Sequence, residues 1–227
     1  MTATTAVLPA QGLVRRLSTI AAAQNIRRPA SAEQAAPTDE ALFERALRGD
    51  REALGQLVTN YERGLYNLLV RLTNGDAHRA DDLFQETFLH ALKFGHTFDR
   101  KMVFKPWVTA IAVNLVRDEA RRRKVRGEVP LEGGMDEREY ERACTAADEN
   151  PGVAAERRDE ERQVQRALMR LTLLEREVVM LHFYQDLTLA ETASALGVAL
   201  GTVKSRLHAA LTRLSGILGR ERKQAGE

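Results

Sequence analysis

The sequence predicts an all-α protein made of two small helical domains joined by a flexible acidic linker. Apolar residues recur at spacings of three and four along most of 38–125 and 151–220, which is the period of amphipathic helices. Only six prolines and seven phenylalanines occur in 227 residues, which argues against a β-sandwich. The 44% of hydrophobic residues suffices for packed cores. Since no stretch approaches the roughly 18 apolar residues of a membrane span, we expect no membrane insertion.

The charge distribution divides the chain, although the formal net charge is only +2. Residues 126–150 hold three bases and eight acids, a net charge of −5. The flanking blocks are mildly basic, with fifteen bases against thirteen acids in 38–125 and twelve against ten in 151–227. This pattern is typical of two domains and a linker. We therefore predict a flexible tail over 1–37 with at most a transient helix at 13–23, a first domain over 38–125, a linker over 126–150, a second domain over 151–220 and a C-terminal tail over 221–227.

Capping and turn signals divide the first domain into four helices. Thr38 and Asp50 each precede a stretch of helical periodicity and are suitable N-caps. Residues 74–76 (Asn-Gly-Asp) mark a turn, and 95–101 interrupts the period and is predicted to be a loop. A fourth helix follows the loop and finishes in the basic run 121–124. The first domain is thus predicted to be a four-helix unit with a basic end.

The second domain carries two capping boxes. In such a box a Thr hydroxyl accepts from the backbone N–H of a Glu three residues on, while the Glu carboxylate accepts from the Thr N–H. The two pairs are Thr172 with Glu175 and Thr188 with Glu191. Gly197 is placed to end the helix after the second box, and a last helix is predicted from about 201 to 218. A short helix, a tight turn and a longer helix have the proportions of a helix-turn-helix.

The last helix combines an apolar stripe with a polar face. The stripe is Val203, Leu207, Leu211 and Leu214, and opposite it we place Lys204, Ser205, Arg206 and His208. In a major groove, Arg pairs with guanine edges while Lys and Ser hold phosphates. On spacing alone, an ordinary helical hairpin with a solvated face is an equal alternative.

Three segments resemble one family of bacterial proteins. LTLAETASALGVALGTVKSRLHAAL at 187–211 closely resembles the fourth conserved region of sigma factors, with GTVKSRL its most telling run. RADDLFQETFLHAL at 79–92 and FKPWVTAIAVNLVRDEARRRK at 104–124 resemble the second conserved region. Both matches occur in the expected order, and a third sigma domain does not fit into the short linker. The chain therefore resembles an extracytoplasmic-function (ECF) sigma factor of the sigma-70 family.

The resemblance implies a transcription initiation factor and not an enzyme. Such proteins are cytoplasmic, bind core RNA polymerase at the β′ coiled-coil and the β flap, and direct it to promoter DNA. Many respond to stress or to the cell envelope and are held by an anti-sigma factor. The positions that match the β′-docking face are Asp82, Gln85 and Glu86. Their spacing puts them on one helical face beside Arg79, although a solvated surface is the plainer interpretation without the family.

The resemblance also assigns two DNA-reading sites. Unpaired bases of the −10 element are read by the loop and the helix after it, through His96, Phe98, Arg100, Lys101, Trp107, Asn114, Arg117, Asp118 and Arg121. Aromatic and cationic side chains are the types that single-stranded DNA requires. For Trp107, packing in the core is the favoured alternative, and Asn114 and Asp118 are alternatively braces for the loop. The −35 element is read as duplex by Thr202, Lys204, Ser205, Arg206 and His208.

Two positions depart from the family pattern. Ala199 stands where a capping Ser or Thr is common, which leaves open a start of the recognition helix one or two residues later than 201. Thr172 replaces a usual proline, and its capping box makes that change benign.

Other functions explain less of the sequence. A stand-alone helix-turn-helix regulator would explain residues 173–214 but gives residues 79–124 no role. A helical protein that only binds a partner protein gives the basic faces no role. No nucleophile and base pair emerges. We expect no cofactor or metal, because the five histidines lack ligand spacing and Cys144 is the only cysteine.

Overall fold

The computed structural model describes residues 13–15, 17–19, 37–99, 102–127 and 154–225. Within these ranges every regular element is a helix. The chain divides into two compact units, here called the first and the second unit. The first is built around Ile26–Cys144, and the second around Thr145–Ala193 and Val198–Glu227 together with Met1–Asn25.

Four helices make up the described part of the first unit. They are α1 (Asp39–Leu47), α2 (Arg51–Leu72), α3 (Ala77–Phe94) and α4 (Phe104–Val125), and a 3₁₀ turn, Gly95–Thr97, follows α3. The long α2 contacts each of the other three helices, and α4 also packs against α1 and α3. The four predicted helices are therefore present in the predicted order.

The predicted caps hold these helices at their ends. The Thr38 hydroxyl accepts from the Ala41 N–H at 3.3 Å, and Asp50 accepts from the Ala53 N–H at 3.1 Å. At the turn before α3, Gly75 has a φ of 90°, a left-handed conformation that favours glycine. Each side-chain cap is worth about 1 kcal/mol.

All four helices contribute to the interior of the first unit, with α2 contacting the other three and aromatic side chains coming from α1 and α4. Its most completely buried side chains include Leu42, Phe43, Leu57, Leu65, Leu68, Leu69, Phe104 and Val108. Burying one such side chain stabilises a fold by about 1.5–3 kcal/mol. This core lies directly beneath the loop that joins α3 to α4.

The described part of the second unit also consists of helices. They are α5 (Ala154–Met169), α6 (Leu173–Val179), α7 (Leu189–Leu196) and α8 (Leu200–Ala225), and α6 continues into a π-helical turn, Met180–Tyr184. The long α8 packs against α5 and α6. Its buried row includes Val203, Ala210, Leu214 and Ile217.

The last helix begins at Leu200, close to the predicted 201, but ends later than predicted. It continues to Ala225, past the predicted end at 218. At its start, the N–H groups of Thr202 and Val203 reach the Ala199 carbonyl at 2.9 and 3.2 Å. The missing side-chain cap at Ala199 therefore does not delay the helix, because its backbone carbonyl begins the hydrogen-bond ladder.

A buried arginine ties α5 to α6 and was not anticipated from the sequence. Arg176 is only 4% exposed. Its guanidinium donates to the carbonyls of Leu168, Met169 and Leu171 at 2.8–3.1 Å. These carbonyls lie at or just beyond the end of α5, where the regular helical hydrogen-bond ladder stops. Arg176 thus acts as a side-chain cap for the preceding helix.

The structure describes only parts of the predicted tail and linker. Residues 13–15 and 17–19 are helical, and Leu13 and Leu17 are buried, so this short piece packs although the tail is predicted to be flexible. Leucines four residues apart give it one apolar face. Of the predicted linker, only 126 and 127 are described, and Cys144 lies outside the described residues.

Candidate nucleic-acid interface

An aromatic cluster underlies the loop between α3 and α4. Phe98, in the loop, makes an edge-on contact with Phe43 of α1, with ring centroids 5.6 Å apart. Trp107, in the first turn of α4, lies 5.0 Å from Phe98 and 5.3 Å from Phe43. Phe98 and Trp107 are both half-buried. Each ring is therefore packed on one side while part of it reaches the surface, a placement that suits both interpretations of Trp107.

The other predicted residues of the loop are placed in part. His96 is exposed on the 3₁₀ turn. Arg100 and Lys101 lie outside the described residues. Met102 and Val103, just before α4, are apolar and 44% and 55% exposed. The loop therefore presents apolar as well as polar groups.

The outer face of α4 carries the predicted polar residues in a row. Asn114 and Arg121 are exposed, while Arg117 and Asp118 are half-buried. Asp118 and Arg121 form an ion pair of 3.0 Å, one turn apart. The row leads into the basic run 121–124, which is mostly exposed. A helix with this end attracts a phosphate backbone.

A carboxylate of α1 was missed by the sequence analysis. Glu40 accepts a hydrogen bond from the backbone N–H of Phe104 at 2.9 Å, at the first residue of α4. Burial acts to raise the pKa of Glu40, but hydrogen bonds from the Phe104 and Glu40 N–H groups and from the Thr38 hydroxyl hold it below its ordinary value. No local signal could have found this cap, because the partners are 64 residues apart in the chain.

A neighbouring carboxylate ties α1 to α2. Asp39 accepts from the Tyr61 hydroxyl at 2.7 Å and from the Asn60 amide at 3.1 Å. Burial, and then the nearby Asp39 charge, raise the pKa of Tyr61, which keeps the hydroxyl protonated as a donor. The first turn of α1 thus connects to both α2 and α4.

The predicted docking face lies on α3. Asp82 and Gln85 are exposed, and Glu86 is half-exposed with His90 one turn on, 3.7 Å away. Leu89 continues this face and is 65% exposed. The face therefore combines acidic groups with one uncovered apolar side chain.

Arg79 does not share the free surface of that face. Its guanidinium pairs with Glu119 of α4 and with Asp76 at 3.5 Å. Arg79 therefore fastens α3 to α4, and the exposed part of the docking face is acidic.

In the second unit, α7, the turn after it and α8 form the predicted helix-turn-helix. The Thr188 hydroxyl accepts from the Glu191 N–H at 3.2 Å, and the Glu191 carboxylate accepts from the Thr188 N–H at 2.8 Å. The box at Thr172 is likewise complete. Gly197 has a φ of 62° and ends α7. The local signals in this unit are thus confirmed.

The residues predicted to form the polar face of α8 differ in exposure. Lys204, Ser205 and His208 are exposed, and Thr202 is half-buried near the helix start. The Ser205 hydroxyl donates to the Thr202 carbonyl at 3.0 Å. Four side chains suited to phosphates or base edges therefore occupy the first turns of the helix.

Arg206 is placed differently from the prediction. It follows Val203 by three residues and precedes Ala210 by four, so it lies along the buried row and not opposite it. The side chain is half-buried, and its Nη1 atom is buried without a hydrogen-bond partner among the described residues. The predicted apolar stripe included Leu207 and Leu211, which are only half-buried. The observed buried row passes through the small Ala210 instead, and this brings it next to Arg206.

Neither a metal site nor a membrane span occurs within the described ranges. The described residues hold no group of three His, Cys, Asp or Glu side chains able to bind a metal ion. None of the described helices has the length and apolar character needed to cross a bilayer.

Family models match both units. Sigma-70 region 2 matches residues 57–126, and Sigma-70 region 4 matches residues 161–214. The ECF RNA polymerase sigma factor SigM of Mycobacterium tuberculosis is 36% identical over 182 residues, covering 80% of this chain and 85% of the relative. The chain belongs to the ECF sigma factors. It therefore functions in directing transcription.

Other members show the same extent of similarity. RNA polymerase sigma factor NccH of Alcaligenes xylosoxydans xylosoxydans is 34% identical over 180 residues, covering 79% of this ECF sigma factor and 94% of NccH. The match to nearly the whole of a relative covers both units. The expectation of a helical two-region sigma factor is thus confirmed.

Solved structures share the fold. CnrH, in complex with the cytosolic domain of CnrY, matches with a TM-score of 0.57 and 25% identity over 80% of this chain and 97% of CnrH. RpoE of Bartonella quintana, solved in complex with the anti-sigma factor NepR, matches with a TM-score of 0.58 and 21% identity over 74% and 98% of the two chains.

Proposed function

We propose that this ECF sigma factor binds core RNA polymerase and brings it to promoters, with one reading task in each unit. The first unit receives unpaired bases of the −10 element, and the second reads the −35 element as duplex. The observation that carries this proposal is that both family matches cover a unit with its own exposed polar face. The factor has no chemistry of its own in this role and acts in the cytoplasm, where the polymerase is.

The acidic face of α3 is the proposed contact with the β′ coiled-coil. Asp82, Gln85 and Glu86 lie at spacings of three and four, and none of them is among the buried side chains in the described part of the first unit. Charge at such a rim steers association, while an apolar anchor adds affinity. The exposed Leu89 supplies the anchor within the same face. In the second unit, the β flap is the proposed partner.

Recognition of the −10 element is proposed for the loop and the outer face of α4. Stacking of a base on an aromatic ring contributes about 1–3 kcal/mol and tolerates sequence. Phe98 and Trp107 are suitable because each is supported from beneath and partly accessible. His96, Asn114, Arg117, Asp118 and Arg121, with Arg100 and Lys101, are proposed to supply polar and cationic contacts.

Recognition of the −35 element is proposed for the first turns of α8. Lys204, Ser205 and His208 face solvent, and Thr202 is near the N-terminal end of the helix, where its backbone N–H groups favour phosphate. Arg206 contributes once its half-buried guanidinium extends to a base edge. A stand-alone regulator is not favoured, because the Sigma-70 region 2 match would have no role in it.

An anti-sigma factor is proposed as the inhibitor. CnrH and RpoE were solved with the cytosolic domain of CnrY and with the anti-sigma factor NepR. For this chain, such a partner would cover the docking face of α3, because that face is exposed and partly apolar.

In vitro transcription tests the proposal. Core polymerase is incubated with the factor on promoters selected from a random-sequence pool, and initiation is expected only when the factor is present. Charge reversal of Asp82 and Glu86 to Lys is expected to weaken binding to core, with charge reversal of the exposed Glu62 on α2 as the control. Unchanged core affinity of the double variant would remove the α3 face, and no association of the parent with core would remove the proposal.

A further inference from the structure

One face of α1 runs beneath the loop that joins α3 to α4. Phe43 and Leu47 are one turn apart on this face. Leu47 lies against Gly95 at the start of the loop, where an added Cβ would overlap the leucine side chain and lie 3.0 Å from the Phe43 ring. Phe43 contacts Phe98 in the middle of the loop. The start and the middle of the loop are therefore supported by the same helix.

The end of the loop is held by a polar contact from the same face. Glu40 precedes Phe43 by three residues, and its carboxylate accepts from the Phe104 N–H at 2.9 Å. The N-cap residue of α4, Val103, has no side-chain acceptor to offer. The first N–H groups of a helix have no partner within the helix, and the positive end of the helix dipole favours a negative charge. Glu40 supplies both from another helix.

The hydrogen bond fixes the turn that carries Trp107. The ring of Phe104 is fully buried and lies 4.8 Å from Phe43 and 5.8 Å from Trp107. Because the backbone N–H and the side chain of Phe104 are both held, the first turn of α4 cannot rotate without breaking one of these contacts. The two partly accessible rings, Phe98 and Trp107, are thereby kept in one arrangement.

We propose that Glu40 is a positioning residue for the −10 element. It holds the end of the loop and the start of α4 so that Phe98 and Trp107 form a ready surface for unpaired bases. The inference rests on the proposed function, which places single-stranded DNA on this loop. Helix α1 lies before residue 57, where the match to Sigma-70 region 2 begins, so the match itself assigns α1 no role.

The experiment compares substitutions at equivalent helix positions. Glu40 is the second residue of α1, and Glu52 is the second residue of α2, exposed and behind an Asp cap. Glu40→Ala removes the acceptor, Glu40→Gln keeps a neutral one, and Glu52→Ala removes only a first-turn charge. Each variant is assembled with core polymerase, and fluorescence anisotropy measures its affinity for a labelled single-stranded oligonucleotide. The oligonucleotide carries the non-template −10 sequence of a promoter selected by the parent holoenzyme.

We expect Glu40→Ala to weaken single-strand binding about five- to tenfold, the usual net contribution of one hydrogen bond in a protein. Glu40→Gln is expected to stay within about twofold of the parent, and Glu52→Ala to match the parent. Affinity for core polymerase and for duplex −35 DNA is expected to be unchanged in all three. Equal single-strand binding by Glu40→Ala and the parent would overturn the inference.

A second measurement separates positioning from general stability. Trp107 is the only tryptophan of the chain, so its emission reports on the loop directly. In the free factor, Glu40→Ala is expected to shift this emission, while Glu40→Gln restores the parent spectrum. Loss of core binding in parallel with single-strand binding would overturn the inference in favour of a merely structural role. If Glu40→Ala does not fold, Glu40→Asp, which draws the acceptor back, takes its place.

The two proposals fail in different ways. If the parent holoenzyme does not bind the oligonucleotide, the placement of the −10 element on this loop is wrong. If the parent binds and Glu40→Ala binds equally well, that placement stands and only the role of Glu40 is lost.

Discussion

The two candidate DNA-reading sites are held in place in opposite ways. In the helix-turn-helix, the bonds that define the short helix are local: Thr188 and Glu191 are three residues apart, and Gly197 closes the same helix. In the loop of the first unit, the supports come from α1, and Glu40 and Phe104 are 64 residues apart. A site held by local hydrogen bonds can be predicted from the sequence. A site held by long-range contacts depends on the folding of the whole unit.

This difference predicts which substitutions affect a whole unit and which affect only one helix. A substitution in the aromatic cluster should disturb the loop and the stability of the first unit together. A substitution in a capping box should weaken one helix of the second unit and little else.

The largest expected effect is that of Phe43→Ala. Its ring is 1% exposed and contacts Phe98, Phe104 and Trp107. We expect the free energy of unfolding of the first unit to fall by about 3–5 kcal/mol, because the substitution leaves a large cavity. Urea unfolding followed by Trp107 fluorescence measures this, with Leu89→Ala as an exposed apolar control. A loss below about 1 kcal/mol would mean that the cluster does not support the loop.

A smaller effect is expected for Thr188→Ala. The substitution breaks the capping box of α7 and should lower the stability of the second unit by about 1 kcal/mol. Hydrogen exchange of the amides of α7 is expected to increase, while exchange in the first unit stays at the parent rate. Faster exchange in the loop at 95–99 would contradict the idea that this cap acts locally.

The smallest expected effect is that of Glu40→Gln on the pH dependence of stability. The pKa of Glu40 in the folded protein is below its ordinary value of 4.5, so its contribution to stability is present above that value and lost as the pH falls through the lower one. Glu40→Gln should remove this part of the acid dependence. Urea unfolding of parent and variant at pH 6 and at pH 3.5 checks it. If parent and variant lose the same free energy of unfolding between these pH values, the assignment of this acid dependence to Glu40 is contradicted.

The sequence predicted those structural features whose cause lies within a few residues along the chain. Thr38, Asp50 and the two capping boxes place helix starts correctly, because an N-cap acts on amides two or three residues away. The helices and the loop that carry the two candidate DNA-reading sites were also expected.

It was uninformative where the cause lies elsewhere in the chain. Nothing near Glu40 indicates that its acceptor caps α4, and nothing near Arg176 indicates that it binds the carbonyls that end α5. Arg206 lies closer to the buried row than expected, because periodicity alone does not say which of two adjacent rows is covered. Each of these features depends on how helices pack, which spacing along one helix does not specify.

The division of tasks between the units is tested most directly by one pair of binding measurements. Holoenzymes carrying Glu40→Ala or Lys204→Ala are titrated with single-stranded −10 DNA and with duplex −35 DNA from the same selected promoter. The account predicts that Glu40→Ala weakens only the single strand and Lys204→Ala only the duplex. If either variant weakens both probes to the same extent, the two units do not read DNA separately and the account is wrong.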